Sequence, residues 1–146
     1  MPFVGEVHLY TDGACRRNPG PGAIGVVVFD QSGNLLLEHS ETIGETTNNR
    51  AEYRALIAGL DRCAKLTRGK VVCHSDSEIV IKQMTGGYRL KDDELRKLFH
   101  DVRTRMQVFR EVVFQHVPRT HQRLQKADRL ANEAFAGRAV SVDHST

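Results

Sequence analysis

At Asn48 the spacing of apolar residues changes period, and that change limits the fold more than any other feature of the chain. Upstream, three segments read as strands. Glu6 to Thr11 alternate, with Val7, Leu9 and Thr11 on one side and His8, Tyr10 and Asp12 on the other, running into an Asp12-Gly13 turn. After the Pro/Gly-rich RRNPGPG, Ala23 to Asp30 form an apolar, β-branched run, and Gln31 to Asn34 supply turn chemistry before LLLEHSETI. Short turns between successive strands make an antiparallel meander. Downstream, Tyr53, Leu56, Ile57, Leu60 and Ala64 mark an amphipathic helix that begins at Asn48 or Asn49 and carries Glu52 in its first turn.

KVVCHS then reads as a short buried strand delivering Asp76. A strand, helix, strand order implies a right-handed crossover, so this strand lies parallel to the first. Ser75 and Glu78 match a capping box at the start of another helix, which Gly86-Gly87 breaks. A further helix presents Leu95, Leu98, Phe99, Val102 and Met106, EVVFQHV is a last strand, and a closing helix carries Ala127, Leu130, Ala131 and Ala134. Asp128 lies near the start of that closing helix, beside its buried face. The chain is thus expected to be one α/β domain over residues 1–137, with a mixed sheet, and a frayed tail over residues 138–146.

Composition narrows the class. With 146 residues and a 40% apolar fraction the chain can bury a real core, and 21 basic against 18 acidic residues permit a polyanionic partner without demanding one. Cys15, Cys63 and Cys73 are odd in number and form no CxxC, so neither a disulfide framework nor a zinc knuckle is indicated and a reducing cytoplasm fits best. No apolar stretch approaches a membrane span.

Four acids carry the chemistry. Asp12, Glu52, Asp76 and Asp128 sit in YTDGA, TTNNRAEY, HSDSE and KADRLANEA. Each alone has an ordinary explanation as a turn, cap or helix-dipole residue. Together they differ, because the first strand and the parallel strand before Asp76 set Asp12 and Asp76 side by side. Four gathered carboxylates stay ionised only with cations between them. Magnesium suits such oxygen ligands, and two ions roughly 4 Å apart can activate water and steady a leaving oxygen. No Ser-His or Cys-His pairing offers a protein nucleophile.

In the order TDG, TTNNRAE, SDS and AD-x-LAN, and from YTDGACRRNPGPG to ADRLANEA, the chain resembles the type 1 ribonuclease H family in its compact form. The resemblance implies a ribonuclease H-like fold: a five-stranded mixed sheet ordered 3-2-1-4-5 with helices on both faces. It implies an endoribonuclease that cuts the RNA strand of RNA:DNA hybrids, leaving 5′-phosphate and 3′-hydroxyl ends. Asp12, Glu52, Asp76 and Asp128 carry over as catalytic acids holding two Mg2+ ions, with Mn2+ as an alternative. Cys15, Asn18, Asn48 and Asn49 carry over as groove residues facing the RNA, where amides that both donate and accept can read 2′-hydroxyls. Thr47 and Arg50 resemble a grip on a DNA phosphate.

The chain departs from the family's familiar bacterial form in two places. MTGGYRLKDDELRKL is short, partly acidic and free of tryptophan where that form carries a basic protrusion. QHVPRTHQRLQKAD replaces a histidine-bearing loop, with Leu124 where an Asn is often found. His121 is the nearest candidate for a proton-shuttling or product-release histidine, an ordinary loop histidine being the alternative, and Arg119 and Arg123 are candidate phosphate contacts. A non-cleaving hybrid- or RNA-binding module, another nuclease of the superfamily, and a catalytic unit that works attached to a reverse transcriptase are the competing readings. The expected protein is a cytoplasmic monomer without membrane contact.

Overall fold

Residues 3–86 and 90–145 are described by a computed structural model. The meander forms as expected: β1 (Val4–Cys15) pairs antiparallel with β2 (Gly20–Asp30), and β2 with β3 (Leu35–Thr46). Next come α1 (Asn48–Cys63), β4 (Thr67–Ser75), α2 (Glu78–Met84), α3 (Asp93–Met106), β5 (Glu111–His116) and α4 (Gln122–Phe135). β4 lies parallel to β1 and β5 parallel to β4, as crossover handedness requires.

The sheet runs β5-β4-β1-β2-β3-β6. Its central order is the expected 3-2-1-4-5, but there are six strands rather than five. The segment read as a frayed tail supplies the sixth: β6 (Ser141–Asp143) pairs antiparallel with Leu37, Glu38 and His39. The His144 N–H donates to the Leu36 carbonyl at 2.7 Å, and Ser40 and Val140 exchange bonds just upstream. The cause is the open edge of β3, whose backbone groups need partners that no local sequence signal in the tail announces.

Both faces of the sheet are covered, so β1 is buried on alternate sides. Val7 and Leu9 join Ile24, Val26 and Val28 under Tyr53, Leu56 and Leu60 of α1, with Val80 and Met84 of α2 and Leu98 and Val102 of α3. On the other face Tyr10, Val27 and Phe29 meet Leu124, Ala127 and Leu130 of α4. Tyr53 is fully buried, and its hydroxyl donates to Gln83 Oε1 at 2.5 Å, tying α1 to α2. No helix among the described residues is long and apolar enough to cross a membrane.

Three local expectations are corrected. β1 does not turn at Asp12-Gly13; it continues to Cys15, with Asp12 opposite Gly25 and Gly13 opposite Ile24. The cap of α2 is Ser77, which accepts from the Val80 N–H, while Ser75 remains in β4 and accepts from the Ser77 N–H. α1 begins at Asn48 under a Thr47 cap, which places Glu52 in the second turn, beyond the reach of the dipole argument that would explain it away. Gly87 of the expected helix break, with Tyr88 and Arg89 of the short protrusion, lies outside the described residues.

Candidate active site

Register brings the first two acids together. The last parallel pair between β1 and β4 is Tyr10 with His74, so Asp12 and Asp76 each stand two residues beyond it, at the same end of adjacent strands. The rings of Tyr10 and His74 stack directly beneath, 4.2 Å apart and 6° from parallel.

Two missing side chains bring in the helices. A Cβ on Gly13 would lie 2.3 Å from the Ala51 carbonyl carbon and 2.6 Å from the Glu52 nitrogen. α1 therefore rests its backbone on β1, and the Gly13 N–H donates to Glu52 Oε1 at 2.5 Å. On the opposite face a Cβ on Gly25 would lie 1.9 Å from the Ala127 carbonyl oxygen, so α4 presses equally close to β2 one residue before Asp128. Gly13 and Gly25 sit on neighbouring rungs of one strand pair. They let two helices straddle the end of the sheet where Asp12 is held. The sequence did carry a signal for Gly25: it interrupts an otherwise β-branched run, the usual mark of a close backbone approach.

Ligand oxygens of Asp12, Glu52 and Asp76 lie within 4.8 Å of one another. Burial pushes the Asp12 carboxyl up to about 9, and the charges of Glu52, Asp76 and Asp128 add to the rise. Burial likewise pushes Glu52 up to about 8; the Gly13 N–H and Arg119 pull it back, while Asp76 and Asp128 push it further. These are acids held against their own repulsion. Hard oxygen donors, one buried and two half-buried, crowded together with like charge fit a hard divalent cation.

Asp128 stands outside that triangle but within hydrogen-bonding reach of Asp12. It is exposed, in the second turn of α4 rather than near its start, because the helix begins at Gln122. Asn132 Nδ2 donates to its Oδ2 at 3.3 Å. With Asp12, Asp76, Arg119, Thr120, Leu124 and Gln125 it lines a cleft of about 280 Å3.

His121 is not among the residues lining that cleft. It caps α4, with Nδ1 accepting from the Arg123 N–H at 3.2 Å, and its ring lies 5.1 Å from Tyr10 on the α4 face of the sheet. Arg119 lines the cleft instead, and its charge acts on Glu52. Arg123 instead lies over the Phe29 ring at 4.3 Å. Leu124 is 1% exposed, a core anchor against Tyr10, which explains an apolar residue there.

The candidate groove residues meet at the start of α1. Asn18 Oδ1 accepts from the Asn48 N–H at 3.1 Å, joining the β1–β2 connection to the helix. The Cys15 thiol donates to the Thr46 carbonyl at 3.2 Å, and the Thr47 hydroxyl accepts from the Arg50 N–H. Asn49 is half-buried beside them in sequence, and the Arg50 guanidinium engages Asp92.

Comparison with known proteins follows the same outline. A family profile described as "Reverse transcriptase-like" matches residues 10–134. Ribonuclease HI of Halobacterium salinarum is 42% identical over 131 residues, 90% of this chain and 65% of that protein, so the chain spans less than two thirds of that relative. A ribonuclease H of Paramagnetospirillum magneticum is 34% identical over 150 residues, covering 92% of this chain and 93% of the relative. The crystal structure of LC11-RNase H1 in complex with an RNA/DNA hybrid superposes with a TM-score of 0.82 at 40% identity, covering 90% of this chain and 97% of that one.

Proposed function

The chain belongs to the type 1 ribonuclease H family, and on that premise we propose that it is an endoribonuclease hydrolysing the RNA strand of RNA:DNA hybrids, with 5′-phosphate and 3′-hydroxyl products. The observation that carries the reading is the triangle of Asp12, Glu52 and Asp76, three carboxylates converging from β1, α1 and the end of β4. Asp128 from α4 completes the set across the same cleft. These residues would hold two Mg2+ ions, or Mn2+ in their place. Such ions, when bound, supply an activated water and charge stabilisation for the departing 3′ oxygen.

The chain's own groups do the rest. Asp12, at the centre of the repulsion, gains most from a cation and so couples metal binding to the site's order. Arg119 brings positive charge to the cleft, where it can meet a non-bridging phosphate oxygen as negative charge develops. Cys15, Asn18, Asn48 and Asn49 face the RNA strand, and Thr47 with Arg50 takes a phosphate of the DNA strand. The Asn18–Asn48 contact supports this, since it ties the Asn18 side chain to the backbone at the start of α1, the helix that carries Glu52. His121, bound into its cap and stack, carries no proton in this scheme.

Free Cys15, Cys63 and Cys73 agree with a reducing cytoplasm, and monomeric action on hybrid completes the proposal. The test uses labelled RNA:DNA hybrid, duplex RNA, single-stranded RNA and duplex DNA, each with Mg2+, Mn2+ or EDTA. Cutting is expected only in the RNA of the hybrid, only with metal, and only with Asp12 intact. Cleavage in EDTA, or equal activity of Asp12→Asn, would sink the assignment; metal-independent retention of uncut hybrid would favour the binding module.

A further inference from the structure

Arg50 lies in the first turn of α1, next to the groove residues, yet its guanidinium is partly committed elsewhere. Nη2 contacts both carboxylate oxygens of Asp92, at 3.0 and 3.3 Å. One nitrogen straddling two oxygens is not the two-nitrogen fork that makes arginine pairs strong. Nε, on the same edge of the guanidinium, is buried and has no partner among the described residues. Asp92 therefore uses half of the edge and leaves a donor unmet.

Asp92 does not depend on Arg50 in return. It caps α3, with Oδ1 accepting from the Glu94 N–H at 2.8 Å and the Leu95 N–H at 3.2 Å. Its carboxyl is held below the usual range first by the Leu95 N–H, with Arg50 adding to the effect. The Arg50 and Asp92 side chains are 35% and 42% exposed, so water screens their pairing. A phosphodiester offers two free oxygens to the whole Nε–Nη2 edge and can satisfy the donor that Asp92 leaves.

We propose that Asp92 is an affinity-setting residue: an internal carboxylate that occupies the Arg50 edge until a nucleic-acid phosphate displaces it. The inference rests on the nucleic-acid reading of the site. In the free protein the pair links α1 to the cap of α3, and in the complex Arg50 passes to the phosphate while the α3 cap remains intact. Binding is weaker than an unopposed arginine would make it, by the cost of that exchange.

Asp92→Asn separates the two roles, because asparagine caps a helix as well as aspartate but offers no charge. The readout is anisotropy of a labelled RNA:DNA hybrid in EDTA, where no turnover occurs, over a salt series, with thermal melting alongside. Asp92→Asn is expected to melt within a few degrees of the parent and to bind about twofold to fivefold tighter. The slope of log Kd against log salt should stay close to the parent's, because Arg50 neutralises the same phosphate in both complexes and only the exchange with Asp92 is removed. Adding Arg50→Gln should abolish the gain in affinity. An unchanged Kd overturns the proposal. So does a gain that persists with Arg50→Gln, since only general repulsion would then have been removed. If Asp92→Asn fails to fold, Asp92→Ser retains a capping oxygen and takes its place. Metal-dependent cleavage by the unaltered chain tests the site separately, so a cleaving enzyme with an indifferent Asp92→Asn variant sinks this inference alone.

Discussion

Replacing Asp12 with asparagine should make the metal-free protein more stable while destroying its activity. Asp12 is 8% exposed and carries the repulsion of three other carboxylates. Its proton affinity rises in the folded state from 3.8 to about 9. A carboxyl raised on folding stabilises the protein fully below its unfolded pKa, and that contribution is lost as pH climbs toward the folded value. Between pH 3.8 and pH 7 the loss is about 3 units, or about 4 kcal/mol if Asp12 acted alone. Glu52 shares the burden and is raised as well, so about half of that is a fair expectation for one substitution. About 2 kcal/mol corresponds to roughly 5–8 °C in melting temperature for a domain of this size. The assay is thermal unfolding followed by circular dichroism in EDTA at pH 5 and pH 8. The parent should melt lower at pH 8 than at pH 5, and Asp12→Asn should recover much of the difference. Saturating Mg2+ should stabilise the parent, by about 2.7 kcal/mol at a hundred times its Kd, and the variant far less. A flat pH response in the parent, or a variant no more stable at pH 8, would show that the acids do not strain one another.

Gly25→Ala should drive a methyl into the Ala127 carbonyl, lowering stability by about 3 kcal/mol in urea unfolding and hybrid cleavage by about a hundredfold as Asp128 shifts. Arg119→Ala should reduce kcat by about a hundredfold, whereas His121→Asn, which keeps a capping group, should stay within about threefold of the parent. Single-turnover cleavage decides between them, and comparable losses would return the proton-carrying role to His121. Tyr53→Phe removes the hydroxyl paired with Gln83 and should cost about 1–3 kcal/mol in urea unfolding without altering metal dependence.

Legibility in the sequence followed the range of the interaction involved. The Asn48 change of period, the stripe from Tyr53 to Leu60 and the parallel return of β4 are local or chirality-bound, and each was readable. So was the pairing of Asp12 with Asp76, because equal offsets from a parallel register follow once two strands are neighbours. Gly13 was misread as a turn for a clear reason: Asp-Gly has the same local chemistry whether the chain reverses or a helix comes to rest on it. The helix that decides the matter is thirty-odd residues away in sequence.

The chain's residues alone determined the meander and the crossover, picked out the four candidate acids and, through resemblance, indicated the family. Tertiary structure decided which groups share their cleft. Arg119 rather than His121 enters it, because His121 is spent on capping α4 and packing against Tyr10. Asp92 claims Arg50, and the tail closes the β3 edge, because hydrogen-bond donors and acceptors pair with whatever the fold brings within about 3 Å. Spacing along a chain records what each residue prefers, but the partner that satisfies it is chosen only when distant segments meet.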